Sequence, residues 1–204
     1  MWAHYAYYLE RILPVAEQAG VRLALHPDDP PVMPSLRGVA RLFRDLPGFR
    51  RAMEAFASPC HGLNFCVGCW SEMGAAGVLE AIRWFGTRGQ IVYAHCRDVQ
   101  GQMPCYTECF IDEGSLDLLA VVRTFRQVGF EGVLFPDHVP QMDGDSPWGH
   151  RGRAYAVGYL KALVDLVGEP AVGNSPVGNS PVGNSPVGNS PVGNSPVGNS
   201  PPGG

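Results

Sequence analysis

The sequence predicts an α/β fold in which a parallel sheet is covered by helices, and three observations support this class. Short apolar segments alternate with segments of helical periodicity, giving one helix and then four consecutive β–loop–α units. The predicted strands are apolar throughout, which is typical of parallel strands buried on both faces. Long polar loops follow the strands and short loops follow the helices. A doubly wound sheet fits this alternation, and so does part of a (β/α) TIM-type barrel, for which the loop asymmetry is expected.

Each element is assigned from the pattern of its own residues. The first helix, Trp2–Ala19, carries apolar residues at helical spacing and ends before Gly20, which suits the left-handed turn that closes a helix. The same periodicity predicts four later helices: Leu36–Phe56 with a break at Pro47-Gly48, Ala75–Phe85, Leu116–Val128 and Arg153–Val167. Compact apolar runs predict four strands: Val21–Leu25, Gly62–Val67, Gln90–Ala94 and Gly132–Phe135.

The 204 residues divide into a folded part and a tail. From Val172 to Pro201 the pentapeptide VGNSP repeats without interruption. Such a segment buries too little apolar surface to offset its own ordering entropy, so we expect residues 171–204 to be disordered. Residues 1–170 are enough for one modest domain. A complete barrel has eight strands, so if the units belong to a barrel, four of them make half of one.

Composition excludes several classes of protein. The net charge is −4 and no basic tract occurs, so no nucleic-acid partner is expected. No apolar run approaches the roughly 20 residues of a membrane span, and no signal peptide is evident. The six cysteines are therefore interpreted as reduced thiols of a cytoplasmic protein. Cys66 and Cys69 form a CxxC pair, but no second pair stands at zinc-ribbon spacing.

A residue able to bind a metal ion stands at the end of every predicted strand. The four strands end, in chain order, at His26, at Cys66, at His95, and at Asp137 followed by His138. Parallel strands bring these side chains to one rim. Imidazole, thiolate and carboxylate together suit Mn²⁺, Fe²⁺, Co²⁺ or Zn²⁺. A single histidine, cysteine or aspartate at the end of a strand more often has a structural role. Four such residues on successive strand ends favour a metal site.

Six stretches of the chain resemble a known family. They are LALHPDDPP at Leu23–Pro31, SPCHGLNFCVG at Ser58–Gly68, YAHCRDV at Tyr93–Val99, YTECFIDEGSLDLL at Tyr106–Leu119, FPDHVPQM at Phe135–Met142 and GYLKALVDL at Gly158–Leu166. The family they resemble is mannonate dehydratase, within the xylose-isomerase-like (β/α)₈ barrels. The resemblance implies dehydration of D-mannonate to 2-keto-3-deoxy-D-gluconate in glucuronate catabolism, with Mn²⁺ or Fe²⁺ as cofactor. It places the metal ligands on His26, Cys66, His95 and Asp137.

The resemblance also implies roles around the metal. His138 matches the family's acid/base residue, and Asp137 would hold the metal or share in proton transfer. Apart from the resemblance, its position two residues after His95 predicts that Arg97 binds the substrate carboxylate or forms a rim salt bridge with Asp98 or Glu108. The two aspartates of the HPDDPP loop, Asp28 and Asp29, would orient a ligand histidine or bind sugar hydroxyls. His4 and His61 are interpreted as structural, and His150 stays open.

The first helix resembles the one that precedes the fifth strand of the family's barrel, so we expect the C-terminal half of a barrel. Two unpaired sheet edges then predict a homodimer or an aggregation-prone chain. Two alternatives remain. One is a metal-dependent sugar isomerase or epimerase of the same superfamily, although those more often use paired Glu and Asp ligands, whereas Cys66 favours the dehydratase. The other is a truncated, catalytically inactive fragment.

Overall fold

The computed structural model describes residues 1–168, so the predicted tail at 171–204 lies outside the described residues. Six helices and one short 3₁₀ turn at Ala75–Gly77 occur in this range: α1 Trp2–Ala19, α2 Leu46–Ala55, α3 Val67–Gly74, α4 Val78–Gly86, α5 Leu118–Gln127 and α6 His150–Gly168. The strands are β1 Leu23–Leu25, β2 Ser35–Leu36, β3 Val39–Ala40, β4 His61–Cys66, β5 Ile91–His95, β6 Val99–Gln102, β7 Cys105–Glu108 and β8 Leu134–Phe135.

Four of the strands form one parallel sheet in the order β1-β4-β5-β8, which confirms the predicted α/β class. Cys66 pairs with His95, and His95 with Phe135, so β4, β5 and β8 end at the same level. Connections through helices keep consecutive strands of this sheet parallel. The residues that follow the strands are thereby gathered at one edge of the sheet. From Met1 to Gly168, no helix is both long enough and apolar enough to cross a membrane.

The two faces of the sheet carry different side chains. Along β4, Leu63 and Phe65 are buried in the hydrophobic core between the sheet and the helices. Side chains alternate along a strand, so Asn64 and Cys66 lie on the opposite face. The same alternation on β5 places Ala94 in the core and His95 on the face of Cys66. The predicted metal ligands of β4 and β5 are therefore turned away from the apolar core.

Replacing Phe65 with alanine is expected to destabilise the fold by about 3–5 kcal/mol, because the side chain is fully buried and leaves a cavity. Its ring stacks on Trp70 at 5.1 Å and meets Phe125 edge-on at 5.8 Å. Urea unfolding measures the loss. The matched control, Tyr8→Ala, removes an exposed aromatic ring and should change stability by less than about 0.5 kcal/mol. Equal losses for both variants would contradict the assignment of the core.

The predicted helix Leu36–Phe56 is wrong in its first half. Residues 35–40 form the β2–β3 hairpin, whose two-residue turn places Arg37 and Gly38 at φ 47° and 80°. Two consecutive positive φ values define a tight hairpin turn, for which glycine at the second position is favourable. The helix begins only at Leu46, where the Asp45 side chain accepts a hydrogen bond from the backbone N–H of Gly48 at 2.8 Å. Pro47 lies in that first turn, so it starts the helix and does not break it.

Two further elements occupy segments for which the sequence predicts loops. Helix α3 follows β4 without an intervening loop, and all of its residues from Val67 to Glu72 are buried. The antiparallel β6–β7 hairpin occupies the segment after β5, and its strands meet at the turn that contains Met103-Pro104. Both elements lie beside the edge at which the sheet strands end.

Candidate metal centre

His26, Cys66, His95 and Asp137 converge at the edge of the sheet. Each offers one ligand atom, and these atoms all lie within 4.8 Å of one another. His26 Nδ1 lies 2.8 Å from the carbonyl oxygen of Pro27. Since a carbonyl only accepts, Nδ1 carries the hydrogen and Nε2 keeps its lone pair free for a cation. The four side chains thus come from four different strand ends and meet around one small volume.

A strained turn aims the Asp137 carboxylate. Asp137 has a φ of 56°, a left-handed conformation that aspartate tolerates better than most residues. Its carbonyl oxygen accepts a hydrogen bond from Arg153 Nη1 on α6. Arg153 Nε also donates to the carbonyl of Trp148 at 3.0 Å, and its guanidinium lies 4.6 Å over the Trp148 ring. Helix α6 therefore fixes the conformation of the turn after β8.

The charge of the four side chains fits a divalent cation. A hydrogen bond from Cys69 lowers the pKa of the Cys66 thiol, against burial, and hydrogen bonds from the two histidines lower it further. Burial would raise the pKa of Asp137, but its contacts with His95 and His138 lower it. A thiolate and a carboxylate supply two negative charges, and two imidazoles complete a set of donors suited to a first-row transition metal.

The affinity for Mn²⁺ is expected to rise with pH between about pH 6 and about pH 9. Burial would lower the pKa of His95, but hydrogen bonds with Asp137 and Cys66 raise it to about 9. At neutral pH the imidazole therefore holds a proton that must leave before a cation binds, so affinity gains up to about tenfold per pH unit. Calorimetric titration at several pH values, in buffers of different ionisation enthalpy, measures affinity and proton release. A flat profile would contradict the prediction.

His138 lies next to the centre but outside the group of four. Its Nδ1 lies 3.0 Å from Glu108 Oε2 and its Nε2 lies 3.3 Å from Asp137 Oδ2. The carboxylate of Glu108 only accepts, so His138 donates from Nδ1. Because 43% of the side chain is exposed, the imidazole is accessible to a solute. The hairpin strand β7, which carries Glu108, thus orients the predicted acid/base residue.

The predicted substrate residues Arg97, Asp28 and Asp29 are engaged with the protein itself. Arg97 is 4% exposed, and its guanidinium lies 3.0 Å from Asp29 and 3.5 Å from Glu108. Asp28 accepts from the backbone N–H of Phe43 at 2.9 Å and lies apart from the group of four. These contacts favour the salt-bridge alternative for Arg97 and an anchoring role for Asp28. Substrate binding by the three residues stays a prediction.

The other three histidines lie outside the centre. His61 is buried in β4, where its Nε2 lies 2.8 Å from the hydroxyl of Tyr5. His150 begins α6, with Nδ1 2.6 Å from the hydroxyl of Ser146, and His4 is exposed on α1. None of these three belongs to the group of ligand atoms.

Sequence reasoning missed Glu72 on α3, which is fully buried against Arg97 at 2.9 Å. Burial raises the pKa of this carboxyl to about 7, although Arg97 opposes the shift. Gly68, one turn earlier on the same helix, lies where a Cβ would come within 2.6 Å of the Arg97 side chain. Glycine at this position therefore leaves room for the arginine beside Glu72, a relation that appears only when the two segments are folded together.

Several known proteins are similar to this chain. Mannonate dehydratase 2 of Halalkalibacterium halodurans is 34% identical over 166 residues, which cover 80% of this chain and 46% of the relative. The crystal structure of mannonate dehydratase from Streptococcus suis serotype 2 matches with a TM-score of 0.75 and 29% identity, covering 81% of this chain and 49% of that one. A D-tagatose 3-epimerase-like protein matches at a TM-score of 0.59 and 21% identity, over 78% of this chain and 52% of that one, and shows the fold alone.

The chain spans less than half the length of the curated relative from Halalkalibacterium halodurans. The family model that matches it, described as D-mannonate dehydratase (UxuA), covers residues 1–171, which include all of the described elements. The predicted partial barrel and the predicted family are both confirmed, and the chain belongs to the D-mannonate dehydratase (UxuA) family.

Proposed function

We propose that this chain carries the metal site of a mannonate dehydratase and takes part in converting D-mannonate to 2-keto-3-deoxy-D-gluconate in glucuronate catabolism. The observation that carries the proposal is the convergence of His26, Cys66, His95 and Asp137 within 4.8 Å. Mn²⁺ or Fe²⁺ is the proposed cofactor, since both accept a mixed set of nitrogen, sulfur and oxygen ligands. The membership of the family supports the choice of a sugar acid as substrate.

The reaction requires one proton to leave C2 and the hydroxyl on C3 to depart as water, after which the enol becomes the ketone. The proton on C2 is weakly acidic, because its loss adds negative charge next to a carboxylate. When bound, the cation supplies Lewis-acid stabilisation of that charge. His138 is the proposed acid or base, with its reactive Nε2 beside Asp137 and its Nδ1 held by Glu108.

The experiment that tests the proposal is a product assay on the purified chain. Protein freed of metal with a chelator is loaded with Mn²⁺, incubated with D-mannonate and assayed for a 2-keto-3-deoxy acid. Product that depends on Mn²⁺ and disappears in Cys66→Ser supports the proposal. Bound metal with an isomerised or epimerised sugar would instead favour the isomerase alternative. The absence of metal binding would favour the inactive fragment.

A homodimer and a cytoplasmic location belong to the same proposal. The outer edges of β1 and β8 have no strand partner among residues 1–168, and exposed Val133 and Phe135 flank the β8 edge. Unpaired parallel edges favour pairing with a second copy. All six cysteines are free thiols, which supports a reducing compartment. Sedimentation measures the association, and a compact monomer at all protein concentrations would contradict the homodimer.

A further inference from the structure

The Arg97 guanidinium is surrounded by acidic side chains directly behind the candidate metal centre. Nη1 lies 2.9 Å from Glu72 Oε1, Nη2 lies 3.0 Å from Asp29 Oδ2, and Nε lies 3.4 Å from Asp137 Oδ2. Gly68 on α3 leaves the space that the arginine side chain occupies. Arg97 therefore places a buried positive charge beside one of the proposed ligands.

That positive charge competes with a bound cation for the same oxygen atom. Asp137 Oδ2 lies 3.4 Å from Arg97 Nε and also 3.4 Å from His95 Nδ1. A guanidinium whose charge is not balanced would hold the carboxylate and repel a divalent ion nearby. The site therefore needs a counter-charge for Arg97 other than Asp137.

We propose that Glu72 is the positioning residue that neutralises Arg97 and thereby leaves the Asp137 carboxylate available to the cation. The side chain of Glu72 is 0% exposed, whereas Asp29 and Glu108 are 38% and 44% exposed. Water screens the two exposed carboxylates, so the buried one contributes the dominant counter-charge. This inference rests on the proposed metal site.

A second cation site at the same place is the competing explanation. Ligand atoms of Asp29, Cys69 and Glu72 also lie within 4.8 Å of one another. Arg97, however, contacts all three, with Nη2 3.4 Å from the sulfur of Cys69 in addition to its contacts with the two carboxylates. The guanidinium of Arg97 already supplies the positive charge beside Asp29, Cys69 and Glu72. It also occupies the space that an ion would need.

The test is the Mn²⁺ affinity of charge-neutral variants of the full chain. It is measured by calorimetry at about pH 8, above the pKa of about 7 to which burial raises Glu72. Glu72→Gln keeps the shape of the side chain and removes its charge. We expect Mn²⁺ to bind at least about tenfold more weakly, as for other residues that support a metal ligand. The matched control is Glu80→Gln, which removes a carboxylate from an exposed ion pair with Arg50 and should leave the affinity unchanged.

The double variant Glu72→Gln/Arg97→Met separates charge compensation from a merely structural role. It removes both charges of the buried pair, a replacement that folded proteins often tolerate. If Glu72 acts through the charge of Arg97, the double variant binds Mn²⁺ more tightly than Glu72→Gln and within about threefold of wild type. A folded Glu72→Gln with wild-type affinity would overturn the proposal. A double variant that binds Mn²⁺ at least about tenfold more weakly than wild type would also overturn the proposal. This comparison remains valid even when the single variant fails to fold. Wild-type protein that binds no Mn²⁺ would instead overturn the metal site itself.

Discussion

Replacing Cys66 with serine or His95 with alanine is expected to weaken Mn²⁺ binding by at least about 100-fold, more than the loss of a supporting residue costs. Each substitution removes one of the four converging ligand atoms. Serine has nearly the shape of cysteine but stays protonated at neutral pH, so it supplies no anionic ligand. Calorimetric titration of the metal-free protein measures the affinity, and circular dichroism reports whether the fold is kept.

Matched substitutions elsewhere test whether the effect belongs to the site. Cys105→Ser changes an exposed cysteine on β7, and His4→Ala changes an exposed histidine on α1. Both should bind Mn²⁺ as the unmodified protein does. The metal-site assignment fails if Cys66→Ser and His95→Ala remain folded and retain the affinity of these controls.

Replacing His138 with glutamine is expected to reduce the rate of 2-keto-3-deoxy acid formation by about 1000-fold, within the usual range for loss of a general acid or base. Glutamine preserves a polar side chain of similar reach but neither takes up nor releases a proton near neutral pH. His138 is not one of the four ligands, so Mn²⁺ affinity should stay within about threefold of wild type. Steady-state kinetics with saturating Mn²⁺ measures the rate.

The control for this variant is His4→Gln, which makes the same chemical change on an exposed helix face and should leave the rate unaltered. A His138→Gln protein that loses both activity and Mn²⁺ would indicate that His138 supports the metal. Unchanged activity would assign the proton transfer to another group, such as Asp137, whose Oδ2 lies 3.3 Å from His138 Nε2.

The sheet and the convergence of the four proposed ligands could be predicted because their signal is local. An apolar run followed at once by a histidine, cysteine or aspartate gives both the strand and its end, and parallel pairing then brings those ends together. The structure places His26, Cys66, His95 and Asp137 at those ends as the pattern predicts. No knowledge of the loops is needed for this step.

The residues around the centre could not be predicted, because their roles depend on contacts between distant segments. Glu108 supports His138 only because the segment after β5 folds into the β6–β7 hairpin. Glu72 reaches Arg97 only because α3 begins directly after β4. The error at residues 36–45 has a related cause. The apolar residues of this segment also fit helical spacing. That periodicity hides the hairpin signal of the Arg37-Gly38 turn.

The strand β8 contains only two residues, and within residues 1–168 it pairs with one neighbour, β5. Since Asp137 follows it, a cation shared with His26 at the opposite side of the sheet would tie both outer strands to the middle ones. A ligand that binds only the native state raises the free energy of unfolding by about 2.7 kcal/mol when its concentration is 100 times Kd. The melting temperature should therefore climb with added Mn²⁺, and a chelator should loosen the last strand first, which hydrogen exchange would locate.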